Sequence, residues 1–423
     1  MKLNGLNIVL AAGVAMTITS CVKTKGDVTM TYTKADAIYG NIDDIRSTSL
    51  IGTPQNIVDP GKIYIGETFL LIGEEGKGIH IFDNTNPSAP IYSSFINIPF
   101  TKEFFVEKNI IYAESQYDML KIDISDIHNP TLVHRLEYAF TDAITNDAGE
   151  VLLGFEYDVV TEEIKINSNE EVALRNSSYL YYDYHDNLIP VSSVPSSFAG
   201  SSEDVKGTLN KIALQNGYVY ALGNTKLHKF EDTPSTLIDK GDQFVSQDME
   251  TIYAEGDNLF IGTRSSMVIM DASNPENPNW VSEFSHETSC DPVYPQGDVA
   301  YLTLRSNGNE GCGGVDNTLT VFDISDLANP QPLNVIPMSS PYGMAMIDNK
   351  LYVGEGANGV TIFDATDKEN LVQLSTDAAV QVFDIMEHPT MPNMIVTTGA
   401  NGLNQYEWDA TTQSLNFLSS INY

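Results

Sequence analysis

The sequence predicts an all-β fold, a β-propeller of eight blades with four antiparallel strands each, seven blades being the alternative. Three observations predict it. An apolar residue followed by Asp and a turn cluster recurs along most of the chain, a short strand-like apolar run precedes every copy, and no segment outside the first twenty residues has a 3.6-residue apolar period.

The first element is a signal for export. Lys2 precedes a mostly apolar stretch, Leu6 to Ile18, which at thirteen residues is too short for the ~20 that a membrane-spanning helix needs. Ile18-Thr19-Ser20-Cys21 resembles the bacterial lipobox, in which the cysteine is acylated and becomes the mature N-terminus. The alternative is a plain export signal in which Cys21 is incidental. Each buried methylene of an acyl chain contributes about 0.8 kcal/mol, so a multiply acylated cysteine anchors a chain without a spanning helix. Residues 1–20 are thus read as a lipoprotein signal peptide, 21–54 as the lipidated N-terminus with a polar tether, and 55–423 as the propeller. The expected address is extracytoplasmic, on the bacterial outer membrane at its periplasmic or cell-surface face.

Composition narrows the function. With 42% hydrophobic and 19% charged residues the chain is too apolar for disorder, and its net charge of −35 becomes −36 when Lys2 leaves with the signal. Such a surface repels phosphate backbones within a Debye length of about 8–10 Å, which argues against a nucleic-acid partner.

The repeat comes next. Its anchor acids are Asp83, Asp123, Asp183, Glu231, Asp271, Asp323, Asp364 and Asp409, at steps of 40, 60, 48, 40, 52, 41 and 45 residues. Eight strand-like runs match them, among them Phe69–Gly73, Val151–Gly154, Val219–Gly223 and Leu351–Gly354. Pairs such as Asn216-Gly217 and Asp348-Asn349 supply the positive φ of two-residue hairpins. Each unit reads as strand, tight turn, strand, loop, strand ending in Asp, Asn-Pro turn, and a last strand such as Pro90–Ile98 or Gln331–Pro337. The unit at 351–364, LYVGEGANGVTIFD, resembles the LVIVD-repeat family of β-propeller proteins. Over residues 55–423 that resemblance implies a propeller and a surface location, and no established reaction. Units three, four and eight depart from the pattern, and in the seven-blade alternative unit three is a long insertion.

The Asp-x-Ser-Asp-x-x-Asn-Pro turns carry carboxylates suited to calcium, yet an Asp or Ser at a strand end more simply bonds neighbouring backbone N–H groups. No cofactor or built metal site is expected, only weak Ca2+ binding to an acidic surface. Cys290 and Cys312 are an even pair outside the cytoplasm, expected to form a disulfide that pins a glycine-rich loop. The seven histidines lack zinc-site spacing, and neither a Gly-x-Ser-x-Gly elbow nor a phosphate-cradling loop is present.

Candidate ligand-binding residues are few. Tyr179, Tyr181 and Tyr184 in irregular unit three could stack sugar faces, or simply face a neighbouring blade. Arg264 and Arg305 follow the second strands of two units on a chain where cations are scarce, so they either pair with local acids or hold an anionic ligand at one rim. The leading expectation is a non-enzymatic envelope module that binds a protein or glycan through rim loops. The first alternative is a lyase or glycoside-active enzyme with its site in the channel, where Asp291, Tyr342 and Asp384 would converge, and the third is a cation-stabilised structural ring.

Overall fold

The computed structural model describes residues 26–140, 144–166, 179–182, 188–190, 211–223, 225–247, 249–263, 266–285, 293–305, 317–378, 381–399 and 402–423. No helix among them is long and apolar enough to cross a membrane. The chain forms two compact units. The smaller comprises residues 1–36 and 156–193, and its sheet runs in the order Val151–Ile166, Gly26–Gly40, Tyr179–Tyr182, Leu188–Pro190. The larger, Ala37–Phe155 with Val194–Tyr423, carries seven antiparallel sheets that are the blades of a propeller.

The blades number seven, the alternative to the leading expectation of eight. The third repeat unit is not a blade, because its run Val151–Gly154 opens the strand Val151–Ile166 and that strand's sheet neighbour is Gly26–Gly40. Tyr179–Tyr182 pairs in parallel with the same strand, Thr33 opposite Tyr179, so this unit builds a separate sheet from non-local partners. The segment read as a polar tether is also ordered in part. Asn41 accepts from the Asp43 N–H and caps the helix Ile42–Arg46, which buries Ile42 and Ile45 against Tyr117 and Val151.

Each blade is a meander whose four strands run outward from a central channel. The first strands are Pro60–Ile65, Phe104–Glu107, Ile212–Gln215, Met249–Glu255, Val293–Gln296, Met344–Ile347 and Asp384–Glu387. The turns joining first to second strands are set by backbone chemistry: Asn216 and Gly217 take φ of 49° and 77°, Asp348 and Asn349 47° and 59°. Two consecutive positive φ values give the turn whose twist matches the strands it joins. In blade 1 the fourth strand gains a short outer neighbour, Ile51–Gly52.

Strand alternation places apolar side chains on both faces of a blade, and each of the seven junctions encloses its own cluster. The ring closes without a shared strand, since blade 7 consists wholly of Asp384–Glu387, Met394–Gly399, Gly402–Asp409 and Ser414–Asn422. Ile63, Leu70 and Ile72 of blade 1 meet Met386, Val396 and Leu403 of blade 7 there. Above that cluster the Asn84 and Gln405 side-chain amides exchange two hydrogen bonds of 2.9 Å.

Candidate functional site: the two ends of the channel

Antiparallel meanders put two kinds of connection at opposite ends of a propeller. Turns from first to second and from third to fourth strands lie at one end; those from second to third strands and from one blade to the next lie at the other, called here the entry end because the first strands start there.

The first end is locked. The recurrent aspartates accept from the N–H two residues on: Asp83 from Thr85 at 2.9 Å, Asp123 from Ser125 at 2.7 Å, Asp271 from Ser273 at 2.8 Å, Asp323 from Ser325 at 2.9 Å, and likewise at Asp364 and Asp409. Hydrogen bonds from the Thr85, Ser273, Ser325 and Thr366 hydroxyls, and then those N–H bonds, hold the Asp83, Asp271, Asp323 and Asp364 carboxyls below the usual range, and the Thr411 N–H leads in doing so for Asp409. The turn so formed then presents acceptors to the preceding blade. Ser94 Oγ donates to Ile127 O at 2.6 Å, the Tyr112 hydroxyl to Asp232 at 2.8 Å, the Tyr220 hydroxyl to Pro275 O at 2.8 Å and the Tyr301 hydroxyl to Lys368 O at 3.1 Å. Ser282 and Ser419 complete the pattern by donating to Leu327 O and Pro87 O. The repeated motif is therefore a clasp between blades, and the backbone-capping role expected of its aspartates holds.

The entry end is irregular. Its connections differ in length from blade to blade, and the longest passes from blade 2 to blade 3, between Leu136 and Ile212. Charged residues gather at the channel mouth there. Lys62 lies on the first strand of blade 1, Glu103 just before that of blade 2, Lys211 before that of blade 3, and Asp384 begins that of blade 7. Burial drives the Lys62 ammonium down to about 8, while Glu103 and Asp384 pull it back up and Lys211 adds to the fall. Burial likewise raises the Glu114 carboxyl, against the pull of Lys102 and Lys211. Within, a cavity of about 300 Å3 is lined mainly by apolar and aromatic side chains, including Phe105, Met344, Met346 and Met386. Tyr253 and Tyr294 stand toward the far end with ring centroids 5.7 Å apart. Burial raises both phenols, and Glu255 adds to each.

The residues picked from sequence fall unequally on this frame. Arg305 lies directly after the second strand of blade 5, at the entry end, 8% exposed. Its guanidinium carbon sits 3.9 Å from the centroid of the Tyr342 ring. Of the residues named for convergence in the channel, Asp384 lines the cavity and Tyr342 lies at the same end outside its lining. Tyr179 and Tyr181 lie on a strand of the smaller unit. Cys21, Tyr184, Arg264, Cys290, Asp291 and Cys312 lie outside the described residues. Sequence reading missed Lys62, Glu103 and Lys211; a lysine among the apolar residues of Pro60–Ile65 was the available signal.

With this architecture in place the class of protein is defined: a seven-bladed β-propeller built from four-stranded antiparallel blades. The LVIVD repeat family matches residues 248–285 and 313–332, which contain the third strands Ser266–Asp271 and Thr318–Asp323. The chain is thus a propeller that carries LVIVD repeats, and each such third strand ends in a clasp aspartate. No curated protein matches the sequence. Among solved structures the chain is similar to a computationally designed protein, Ika8, at a TM-score of 0.50 and 10% identity over 88% of this chain and 92% of that one. It is also similar to a protein from Lactobacillus plantarum at 0.50 and 10% over 77% and 86%. At these identities the likenesses concern the fold alone.

Proposed function

We propose that this protein is a lipid-anchored envelope module, held through Cys21, whose propeller binds a protein or glycan at its entry end. The observation that carries this reading is the contrast between the two ends. One is consumed by clasps that repeat from blade to blade, so it cannot vary without cost to the ring; the other carries connections of unequal length and composition on the same rigid scaffold.

The test uses the full chain with Cys21→Ser, which removes the acylation site, on glycan and envelope-protein arrays. Paired changes at exposed positions distinguish the ends: Glu75→Arg with Gln381→Arg at entry, Ser88→Arg with Glu369→Arg at the clasp end. Binding lost only with the first pair supports the proposal. Binding lost only with the second, or no binding by the parent chain, overturns it. In cells, radiolabelled palmitate should enter the parent chain and not the Cys21→Ser variant.

A second reading, chemistry in the channel, draws on the lysine lowered to about 8 beside Glu103 and Asp384. A lyase or glycosidase screen in which turnover disappears with Lys62→Met would favour it over the platform.

A further inference from the structure

Three arginines fall among the described residues, and two of them, Arg46 and Arg135, converge on Asp118 at 2.8 and 3.0 Å. Arg305 has no such partner among the described residues. Its Nε is buried without a hydrogen-bond acceptor, on a chain with a formal charge of −35 and acids to spare. A buried guanidinium without an anion is costly, and the stacked Tyr342 ring compensates only in part, by about 0.5–2 kcal/mol.

The ring beneath it is fixed on several sides. The Tyr342 N–H donates to Gly354 O at 2.8 Å and its carbonyl accepts from Thr303 Oγ1 at 3.0 Å. A Cβ at Gly356, where φ is +55°, would come within 2.7 Å of the ring. Phe383 packs against it with centroids 5.1 Å apart, and Gly343, next in sequence, donates to Phe383 O at 2.9 Å. Arg305 is thereby held at the entry end on a fixed Tyr342 ring, which Phe383 backs.

We infer that Arg305, seated on Tyr342 and flanked by Phe383, is a subsite for one carboxylate carried on an otherwise uncharged glycan. The planar guanidinium matches a carboxylate in fork geometry, and half-buried Tyr342 and Phe383 offer apolar area to a pyranose. The overall charge repels polyanions, which favours a ligand with a single negative group over an acidic peptide or a polyphosphate. This deepens the platform reading, since it names the ligand class for the same end of the ring.

The experiment is titration calorimetry of the full chain with Cys21→Ser against methyl β-glucuronide, methyl β-glucoside and an N-acetylated neutral tripeptide with a free C-terminus. The uronide should bind, the glucoside at least tenfold more weakly, and the tripeptide no better than the glucoside. Arg305→Met should erase the preference for the uronide, and Arg305→Lys, which keeps charge without the fork, should lose most of it. Near-ultraviolet circular dichroism checks that both variants fold. Equal binding of uronide and glucoside, preferred binding of the tripeptide, or a preference unchanged in Arg305→Met each overturns the assignment. So does an Arg305→Met variant that loses thermal stability while the parent binds no probe, which would mark Arg305 as paired within its own chain. Array binding at the entry end that survives Arg305→Met leaves the platform standing while this subsite falls; uronide binding without any array partner does the reverse.

Discussion

Replacing Gln405 by Ala tests how the ring is closed. Gln405 and Asn84 are both fully buried at the junction of blades 7 and 1, and the Gln405 amide also donates to Pro87 O and Ser419 Oγ at 3.1 Å each. Truncation strands one donor and one acceptor of Asn84, whereas Pro87 O keeps Ser419 as a donor. At about 1–3 kcal/mol for each stranded buried group, less about 1 kcal/mol of side-chain entropy regained, the variant should lose about 3 kcal/mol. Urea unfolding followed by the fluorescence of Trp408, buried in blade 7 and packed edge-on to Tyr352, reads that loss. Adding Asn84→Ala should cost little more, so a double-mutant cycle should give a coupling above about 1 kcal/mol. A single-variant loss below about 1 kcal/mol, or additivity in the cycle, would refute the view that this amide pair latches a ring whose ends share no strand.

Two predictions concern pH. Burial alone would raise the Asp118 carboxyl, but Arg46, the Tyr138 N–H and Arg135 outweigh it and hold it below its ordinary value. Its contribution is therefore complete above the unfolded value near 4 and fades as pH falls through the lower folded value, so Asp118→Asn should be less stable at pH 6 and show a flatter acid limb in thermal melts. Lys62 has the opposite sense: lowered to about 8 in the fold and near 10.5 when unfolded, it makes stability rise with pH between those values. Lys62→Met should melt higher at pH 7 and lack that rise; an unchanged slope would show that the lysine is not held in the channel mouth.

The blades were legible because their signals are local. Asn216-Gly217 and Asp348-Asn349 announce hairpins from residue chemistry, and the spacing of Asp271, Asp323 and Asp364 announces a strand end that meets the same turn each time. The count failed where pairing is non-local. Val151–Gly154 has the composition of a second strand, and nothing nearby reveals that its sheet partner lies more than a hundred residues earlier. Arg305 stood out through the scarcity of cations, but the ring it covers belongs to the next blade, a contact that a linear pattern does not encode. The clasps were half visible: capping by Asp was expected from the motif, whereas the Tyr and Ser donors that read each turn come from the preceding blade.

Acids and cations stand at both ends of the ring, so the charge that a ligand meets is local rather than the net −35. Asp83, Asp271, Asp323, Asp364 and Asp409 all lie at the clasp end, held ionised by their own turns. Acids from first strands and their following turns, Glu107, Glu255, Asp348 and Glu387, add to that end of the channel. The mouth at the other end holds the cations Lys62, Lys102, Lys211 and Arg305 together with the acids Glu103, Glu114 and Asp384. Screening limits each field to about 8 Å at physiological salt, a fraction of the distance along a four-residue or longer strand and its turns. A ligand with one negative group therefore responds to the end it meets, whereas an extended polyanion spans more than the screening length and also meets the repulsion of the acidic surface. Because each junction carries its own cluster and most carry a clasp, the entry-end connections can differ in length without loosening the ring that positions them.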